Sequence, residues 1–587
     1  MHRVRRPRAL VLPAIVGLCL LPALGQAQRQ PAPASERSDA TCTLTAFRVR
    51  ADFEAVLNAG DGWAGGTNEA VTLEADRPFR LRVELETADA AEQARRFWLQ
   101  YRRNHGPWTD LPAADFPYPL GVTPPISVVA NGEYAPGEAT ADLLAGATAP
   151  FRAGTGLVLE ATTPTWQGGR VHGEWEWPLV IRRFSDGAAT SETGDVFELR
   201  MAGTPGACAS VASPRLTLAV PPGLLGGTFV ETPGPIGPWQ AANGDLYFTI
   251  EPAETTNVLM MVKSSDGGRT WREVDGARRP VTGDLEGVAA TFDGDTVHIL
   301  HQTSEDVWHH AFRTSDHPTH PDTWAIRDER LASPVEPPTQ VAALAARSDG
   351  SLVGVYGGPD RLHVRIRGAD GTWGEEAIVD AGSGPRLSGP MAVTGRDDVV
   401  HLAYTGHDGT AWYRTVAADG TLGARQRVSD RLARGSGDVG SVLPLVYLPE
   451  DDTLVVIYRT ADGRLRARRA VAGAPLGEER VVTDRVVVQN AVDADQTGAD
   501  AIALDGAAHV LFIDAASGSL FHTSSDPDGS WRDAVLQQDD VDAQWVRGQA
   551  VRRADGTTVY GYVFDAGSNG GSGMNRYGEV APAAAVR

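Results

Sequence analysis

Six residues in the second half of the chain carry side chains suited to acid–base work on a charged substrate: His301, Tyr404, His407, Arg414, Tyr458 and Arg459. Elimination beside a carboxylate needs a cation to neutralise that carboxylate, a base to take the α-proton and an acid for the leaving oxygen. Arg459 or Arg414 meets the first need, and His407 with Tyr404 or Tyr458 meets the other two. Asp514 and Asp565 support a rival hydrolytic scheme, in which the separation of paired carboxylates sets the stereochemical outcome. The densest string runs from His401 to Arg414, and strand alternation puts His401 and Tyr404 on opposite faces.

Recurrence sorts these candidates. His298, His401 and His509 fall at one repeat position and read as structural, each bonding a neighbouring strand. Tyr356, Tyr404 and Tyr458 also recur, which leaves packing and catalysis both open, whereas His301 and His407 do not recur. The run His309-His310, with His317 and His320 nearby, does not match zinc-ligand spacing and reads as a solvated loop. Gly567 to Gly573 precedes no helix and reads as a flexible loop rather than a phosphate cradle.

The elements that position these residues repeat. Turn motifs end at Trp271, Trp324, Trp373, Leu422, Leu476 and Trp531, at intervals of 53, 49, 49, 54 and 55 residues. Two strand-like runs precede each turn, the first exemplified by Val297-His298-Ile299-Leu300 and Val400-His401-Leu402-Ala403, and a seventh copy appears at Val559-Tyr560-Gly561-Tyr562. Seven small antiparallel sheets of this kind predict a seven-bladed β-propeller over 213–587, with six blades as the alternative. The last unit stops short of a full repeat, so Arg215 to Glu231, apolar and β-like, is expected to supply its missing outer strand. The turns lie between third and fourth strands, so the loops after each second strand, which hold the candidate residues, crowd the opposite face.

The fullest turn, Ser264-Ser265-Asp266-Gly267-Gly268-Arg269-Thr270-Trp271, matches the pattern Ser-x-Asp-x-Gly-x-Thr-Trp, and the second half therefore resembles the sialidase-like, or BNR-repeat, Asp-box propellers. That resemblance assigns Ser264, Asp266, Gly268, Trp271, Asp316, Trp324, Asp370, Trp373, Asp526 and Trp531 to structural turns. It implies glycan chemistry. The Arg-Ile-Pro motif of sialidases is absent, and the seven repeats look more like the propeller polysaccharide lyases acting on uronate-containing glycans. The leading expectation is β-elimination from an extracellular polysaccharide, with a sialidase-like exo-glycosidase and a non-catalytic glycan- or protein-binding propeller as alternatives.

The first half differs in texture. Residues 1–27, with Arg3, Arg5, Arg6 and Arg8 before an apolar run and Gly25-Gln26-Ala27, read as a secretory signal peptide. Residues 28–41 read as a Pro-rich linker, and 42–212 as an immunoglobulin-like β-sandwich of short alternating strands. Cys42 and Cys208 are expected to pair in an oxidising compartment, closing this domain. Trp108, Trp166, Trp175 and Trp177 read mainly as core, and no ligating cluster shows at sequence spacing here.

Composition bounds the partners. The formal charge of −22 falls to −26 without the signal arginines, and Lys263 is the only lysine, which disfavours nucleic acid and anionic membranes. No later stretch is apolar for long enough to span a bilayer. A secreted or periplasmic monomer without membrane anchor, cofactor or metal is expected.

Overall fold

The structure, a computed structural model, describes residues 42–581 apart from 89–92, 114–123, 184–190, 205, 227–233, 251–258, 275–279, 281–286, 304–305, 315–323, 334–341, 359–360, 382–389, 406–409, 431–442, 472, 489–497, 540, 542, 544 and 566–574. The signal and linker segments, His317, His320, Asp316, His407 and Gly567–Gly573 therefore lie outside the described residues. The described residues are all-β, with one short 3₁₀ turn at Arg396–Asp398 and no helix long and apolar enough to cross a membrane.

The first two sheets share one apolar core. One is ordered Ala209–Ser210, Cys42–Arg50, Phe79–Thr87, His172–Ile181 and Ile126–Val128; the other Val71–Glu74, Arg215–Ala219, Val196–Gly203, Phe97–Arg103 and Thr109–Asp110. Leu81, Val83, Leu85, Trp175, Trp177, Leu199 and Leu216 fill the space between them, and Cys42 is bonded to Cys208. Trp166 joins that core, while Trp108 is half-buried beneath Arg102 and Arg200.

The other face of the first sheet is also buried, and it is charged. Alternation sends Arg80, Arg82 and Glu84 away from the apolar core, where they meet Arg50, Glu174 and Glu176 with every one of these side chains fully buried. Glu176 pairs with Arg50 (3.3 Å), Arg80 (3.1 Å) and Arg82 (2.9 Å), and Arg82 also meets Glu174 at 2.5 Å. Neighbouring connections roof the lattice: the amides of Leu143 and Leu144 donate to Glu174, and Arg82 donates to the carbonyls of Leu57 and Ala141. Desolvation still raises the Glu174 carboxyl above its usual pKa.

The remaining sheets follow one another as antiparallel meanders. Six are four-stranded, running from Trp239–Gln240 to Arg272–Glu273, Val288–Phe292 to Trp324–Ala332, Ala342–Ala346 to Ala377–Ala381, Met391–Thr394 to Gln426–Ser429, Leu445–Leu448 to Arg480–Val481, and Ala499–Leu504 to Val535–Gln538. The seventh holds Val546–Arg552, Thr558–Asp565 and Asn575–Val580. Each sheet is apolar on both faces. In the fourth, Leu402 and Tyr404 enter the cluster shared with the third sheet, and Ala403 the cluster shared with the fifth. The last sheet returns to the first, where the Gln240 carboxamide exchanges two 2.8 Å hydrogen bonds with the Arg552 backbone and Trp545 meets Phe248. These sheets are the blades of a β-propeller.

The segment expected to complete the last blade divides its work. Arg215–Ala219 pairs with Val196–Gly203 and Val71–Glu74, so the sandwich sheet reaches past residue 212. Among the described residues of this segment, Gly223–Gly226 runs along Asn575–Val580, through Tyr577 N to Gly223 O (2.8 Å) and Leu225 N to Asn575 O (2.9 Å). Gly223 sits at φ 80°, and a Cβ there would lie 2.9 Å from the Tyr577 carbonyl, so the edge pairing depends on glycine.

The turn at Ser264–Trp271 closes as the motif requires. Gly268 N donates to Ser264 Oγ (2.8 Å), Thr270 N and Oγ1 donate to the Asp266 carboxylate (2.8 and 2.7 Å), and Trp271 is buried against Tyr577. Three other copies are simpler Asp-Gly-Thr/Ser turns in which the acid caps the residue two positions on: Asp370 with Thr372, Asp419 with Thr421, Asp528 with Ser530. In the copy ending at Trp531 the capping acid is thus Asp528, and Asp526 pairs instead with Arg532 at 2.8 Å.

Replacing Glu176 with Ala takes the paired carboxylate from Arg50 and Arg80 and leaves Arg82 with Glu174. The expected cost is about 3–5 kcal/mol of unfolding free energy, read by urea denaturation. A loss below about 1 kcal/mol would show that the lattice is hydrated.

Candidate functional site

The propeller topology repeats the candidate residues more than it gathers them. Strand register sets His301 opposite Trp308, Tyr356 opposite His363, Tyr404 opposite Trp412 and Tyr458 opposite Arg466. His301 therefore occupies the tyrosine position of its own blade, a recurrence that the change of residue type conceals. All four side chains are buried. Tyr404 donates to Asp380 Oδ2 (2.7 Å), Tyr458 to Glu479 Oε2 (2.7 Å) and Tyr356 to Glu376. Burial, reinforced by these carboxylates, pushes each phenol well above its usual pKa.

The arginines are committed to backbone. Arg414 donates from Nε to Gly423 O (2.9 Å) and from Nη1 to Val379 O, on the outer strand of the preceding blade. Arg365 makes the same pair of bonds, to Gly374 O and Leu331 O, and Arg468 donates to Gly477 O at 2.7 Å. Arg414 thus belongs to a recurring staple between blades. Arg459 donates to Val487 O (2.8 Å) in the link to the sixth blade, and desolvation lowers its pKa. Of the paired carboxylates, Asp565 accepts from Trp545 N (2.7 Å) and Asp514 from Ser517 Oγ (2.8 Å).

The recurring histidines bond the adjacent strand. His298 meets His309 (3.1 Å), His401 meets Tyr413 (2.7 Å) and His509 meets His522 (3.0 Å), always diagonally across to the third strand. His401 also stacks on Tyr447 of the fifth blade, on the face opposite Tyr404. His309 and His310 are not in a solvated loop: they lie buried in Val307–Arg313, where His309 bonds Glu329 (2.7 Å) and His310 accepts from Asp328 N (3.0 Å). The two period-2 runs Val307, His309, Ala311 and Trp308, His310, Phe312 each continue through one of the rings, and that continuity is the strand signal. His298 in turn holds Asp293 down to about 2.

A different constellation recurs at the start of the third strand, the end remote from the Asp-box turn. In the fourth blade the Arg425 guanidinium lies 3.8 Å over Trp412 and 2.9 Å from Asp380, the carboxylate that Tyr404 orients. In the sixth, Arg485 lies 4.0 Å over Phe521 and 3.6 Å from Asp514. In the second, Arg330 lies 5.2 Å over Trp308 and 4.0 Å from Asp306. The three arginine side chains are 45%, 45% and 58% exposed. Each cluster brings a planar cation to the surface beside an aromatic ring and a carboxylate acceptor, a set that binds polyhydroxylated rings; Trp308 and Trp412 are half-buried, whereas Phe521 and Asp514 lie buried beneath Arg485. Sequence reasoning passed over Trp308 and Trp412, although they are 104 residues apart, close to two repeats.

One group of ligating side chains also assembles. Glu84, Asp142 and His172 bring a ligand atom each to within 4.8 Å of the others, from positions too far apart in sequence to read as a cluster.

No protein-family model matches the chain, and no curated protein matches it. Among solved structures it is similar to the lectin BP39L from Burkholderia pseudomallei, with a TM-score of 0.41 and 11% identity over 62% of this chain and 99% of that one. It is also similar to a six-bladed fucose-recognising lectin from Aleuria aurantia (TM-score 0.35, 10% identity, 51% and 93% covered). A third similar structure is a quinoprotein alcohol dehydrogenase-like protein from Bacteroides thetaiotaomicron (TM-score 0.33, 10% identity, 59% and 82% covered). All three scores are below 0.5, and the propeller architecture rests on the strand pairings described above.

Burial holds His401, His509 and His522 down to about 4, well below the unfolded value of about 6.5. The unfolded chain therefore binds more protons between those limits. The stability these rings contribute is fully present above about pH 6.5 and lost as pH falls towards about 4. The urea midpoint should be lower at about pH 4.5 than at about pH 7.5, and His401→Gln should flatten that slope. An unchanged midpoint would contradict the assignment.

Proposed function

We propose that this chain is an exported glycan-binding protein, whose seven-bladed propeller presents several saccharide sites at the openings of its third strands and whose immunoglobulin-like sandwich precedes it. The observation that carries this reading is the recurrence of an arginine over an aromatic ring beside a carboxylate in the second, fourth and sixth blades, the ring holding the second place of the third strand each time while the arginine and the acid arrive from differing elements. Sugar rings present an apolar face for stacking and vicinal hydroxyls for charge-assisted hydrogen bonds, and each cluster offers both partners. Weak sites repeated on one rigid ring gain avidity on a polymeric glycan.

Elimination finds less support. Tyr404 and Tyr458 are buried with their protons held by carboxylates, and Arg414 is spent on two carbonyls. The acidic surface is compatible with a neutral glycan and unfavourable to a polyanionic one.

The test is an immobilised-glycan array probed with the wild type and with Trp412→Ala and Arg425→Ala. The wild type should be retained on a defined set of glycans, and each variant should lose about tenfold or more in apparent affinity, one well-placed contact being worth about 1.4 kcal/mol. Failure to retain any glycan, or equal retention of both variants, would overturn the proposal. Release of unsaturated products from uronate polysaccharides would favour the lyase instead.

A further inference from the structure

The charged face of the sandwich holds three side chains that the Arg–Glu lattice leaves to one another. Glu84 lies on Phe79–Thr87, His172 opens the neighbouring strand His172–Ile181, and Asp142 comes from the connection that roofs this face. His172 is 4% exposed and Glu84 fully buried, whereas the Asp142 side chain is 42% exposed and opens the group to solvent.

Each buried member is pre-oriented. His172 Nδ1 lies 2.6 Å from the carbonyl of Ala149, which can only accept, so Nδ1 carries the proton and Nε2 faces the carboxylates. Glu84 accepts from Thr45 Oγ1 (2.5 Å) and Gly146 N (3.1 Å), both donors, as an ionised carboxylate requires. A Cβ at Gly146 would come within 2.8 Å of Glu84 Oε1, so the close approach of this connection depends on glycine. The Phe151 ring closes over the imidazole, 5.2 Å between centroids.

His172 Nε2 is buried and has no hydrogen-bond partner among the described residues. It stands 3.4 Å from Asp142 Oδ1 and 3.8 Å from Glu84 Oε2. Both separations exceed the roughly 2.7–3.2 Å of an N–H···O hydrogen bond. Metal–ligand bonds of about 2.0–2.2 Å place neighbouring corners of a tetrahedron about 3.3–3.6 Å apart, which the 3.4 Å separation from Asp142 meets and the 3.8 Å separation from Glu84 slightly exceeds. A histidine whose far nitrogen is tied to a backbone carbonyl is also the usual arrangement of a metal ligand.

We propose that Glu84, Asp142 and His172 form a binding site for a divalent metal ion of the Zn²⁺ class, open to solvent on the Asp142 side. One imidazole and two carboxylates suit borderline ions such as Zn²⁺ better than Ca²⁺ or Mg²⁺, which favour oxygen alone. The ion would clamp the roofing connection onto two strands of the sandwich, a role separate from the propeller sites.

The experiment uses the full chain stripped with EDTA and then given Zn²⁺ alone, with metal analysis after dialysis, calorimetric titration and thermal unfolding. The wild type should retain one Zn²⁺ per chain and unfold at a higher temperature with it. Asp142→Asn, which alters only the exposed ligand, should weaken retention by about tenfold or more and abolish the thermal shift, with metal-free unfolding unchanged. His172→Gln should do the same to retention. Absence of Zn²⁺ from the wild type, or equal retention by wild type and both variants, would overturn the proposal.

Discussion

Every propeller sheet is apolar on both faces, so none can stand without two covered flanks. This constraint dictates how the ring closes. Interior sheets find both neighbours in sequence order, but the first and last can be covered only by each other, which the Gln240–Arg552 exchange and the Trp545–Phe248 contact accomplish. Closure thus runs through side-chain and packing contacts between separate blades, and Gly223–Gly226 covers the outer edge of the last blade. No blade can fold alone under this constraint, which ties the propeller into one cooperative unit.

The same constraint explains why the residues that look most chemical do structural work. A side chain on the second strand points into a seam between blades. His301, Tyr404 and Tyr458 therefore become packing groups, and the two tyrosine hydroxyls are satisfied inside the seam. Asp380 shows the division between inside and outside: it accepts the buried Tyr404 hydroxyl and also pairs with the half-exposed Arg425. The opening of the third strand is where the seam reaches the surface, and there the cation-over-ring clusters are carried.

Much of the architecture is legible in the sequence because repetition is a one-dimensional signal. The spacing of Trp271, Trp373 and Trp531 announces the sheets. What stays hidden depends on three-dimensional neighbours. The alternation of Phe79 to Leu85 gives no sign that its charged face is buried, because the roof comes from distant connections. Trp412 reads as one more aromatic until Arg425 and Asp380, from outside its own strand, arrive beside it. The commitment of Arg414 is in principle readable, since Arg365 and Arg468 recur with it in neighbouring blades as His298 and His509 recur with His401.

The central claim is that one ring carries several saccharide sites of like chemistry. Its most direct measurement is the binding stoichiometry of a soluble monovalent saccharide, obtained by calorimetric titration of the wild type and of the Trp412→Ala variant. Three sites per chain are expected in the wild type, one for each cluster in the second, fourth and sixth blades, and two in the variant. A single site whose occupancy is indifferent to Trp412 would contradict it.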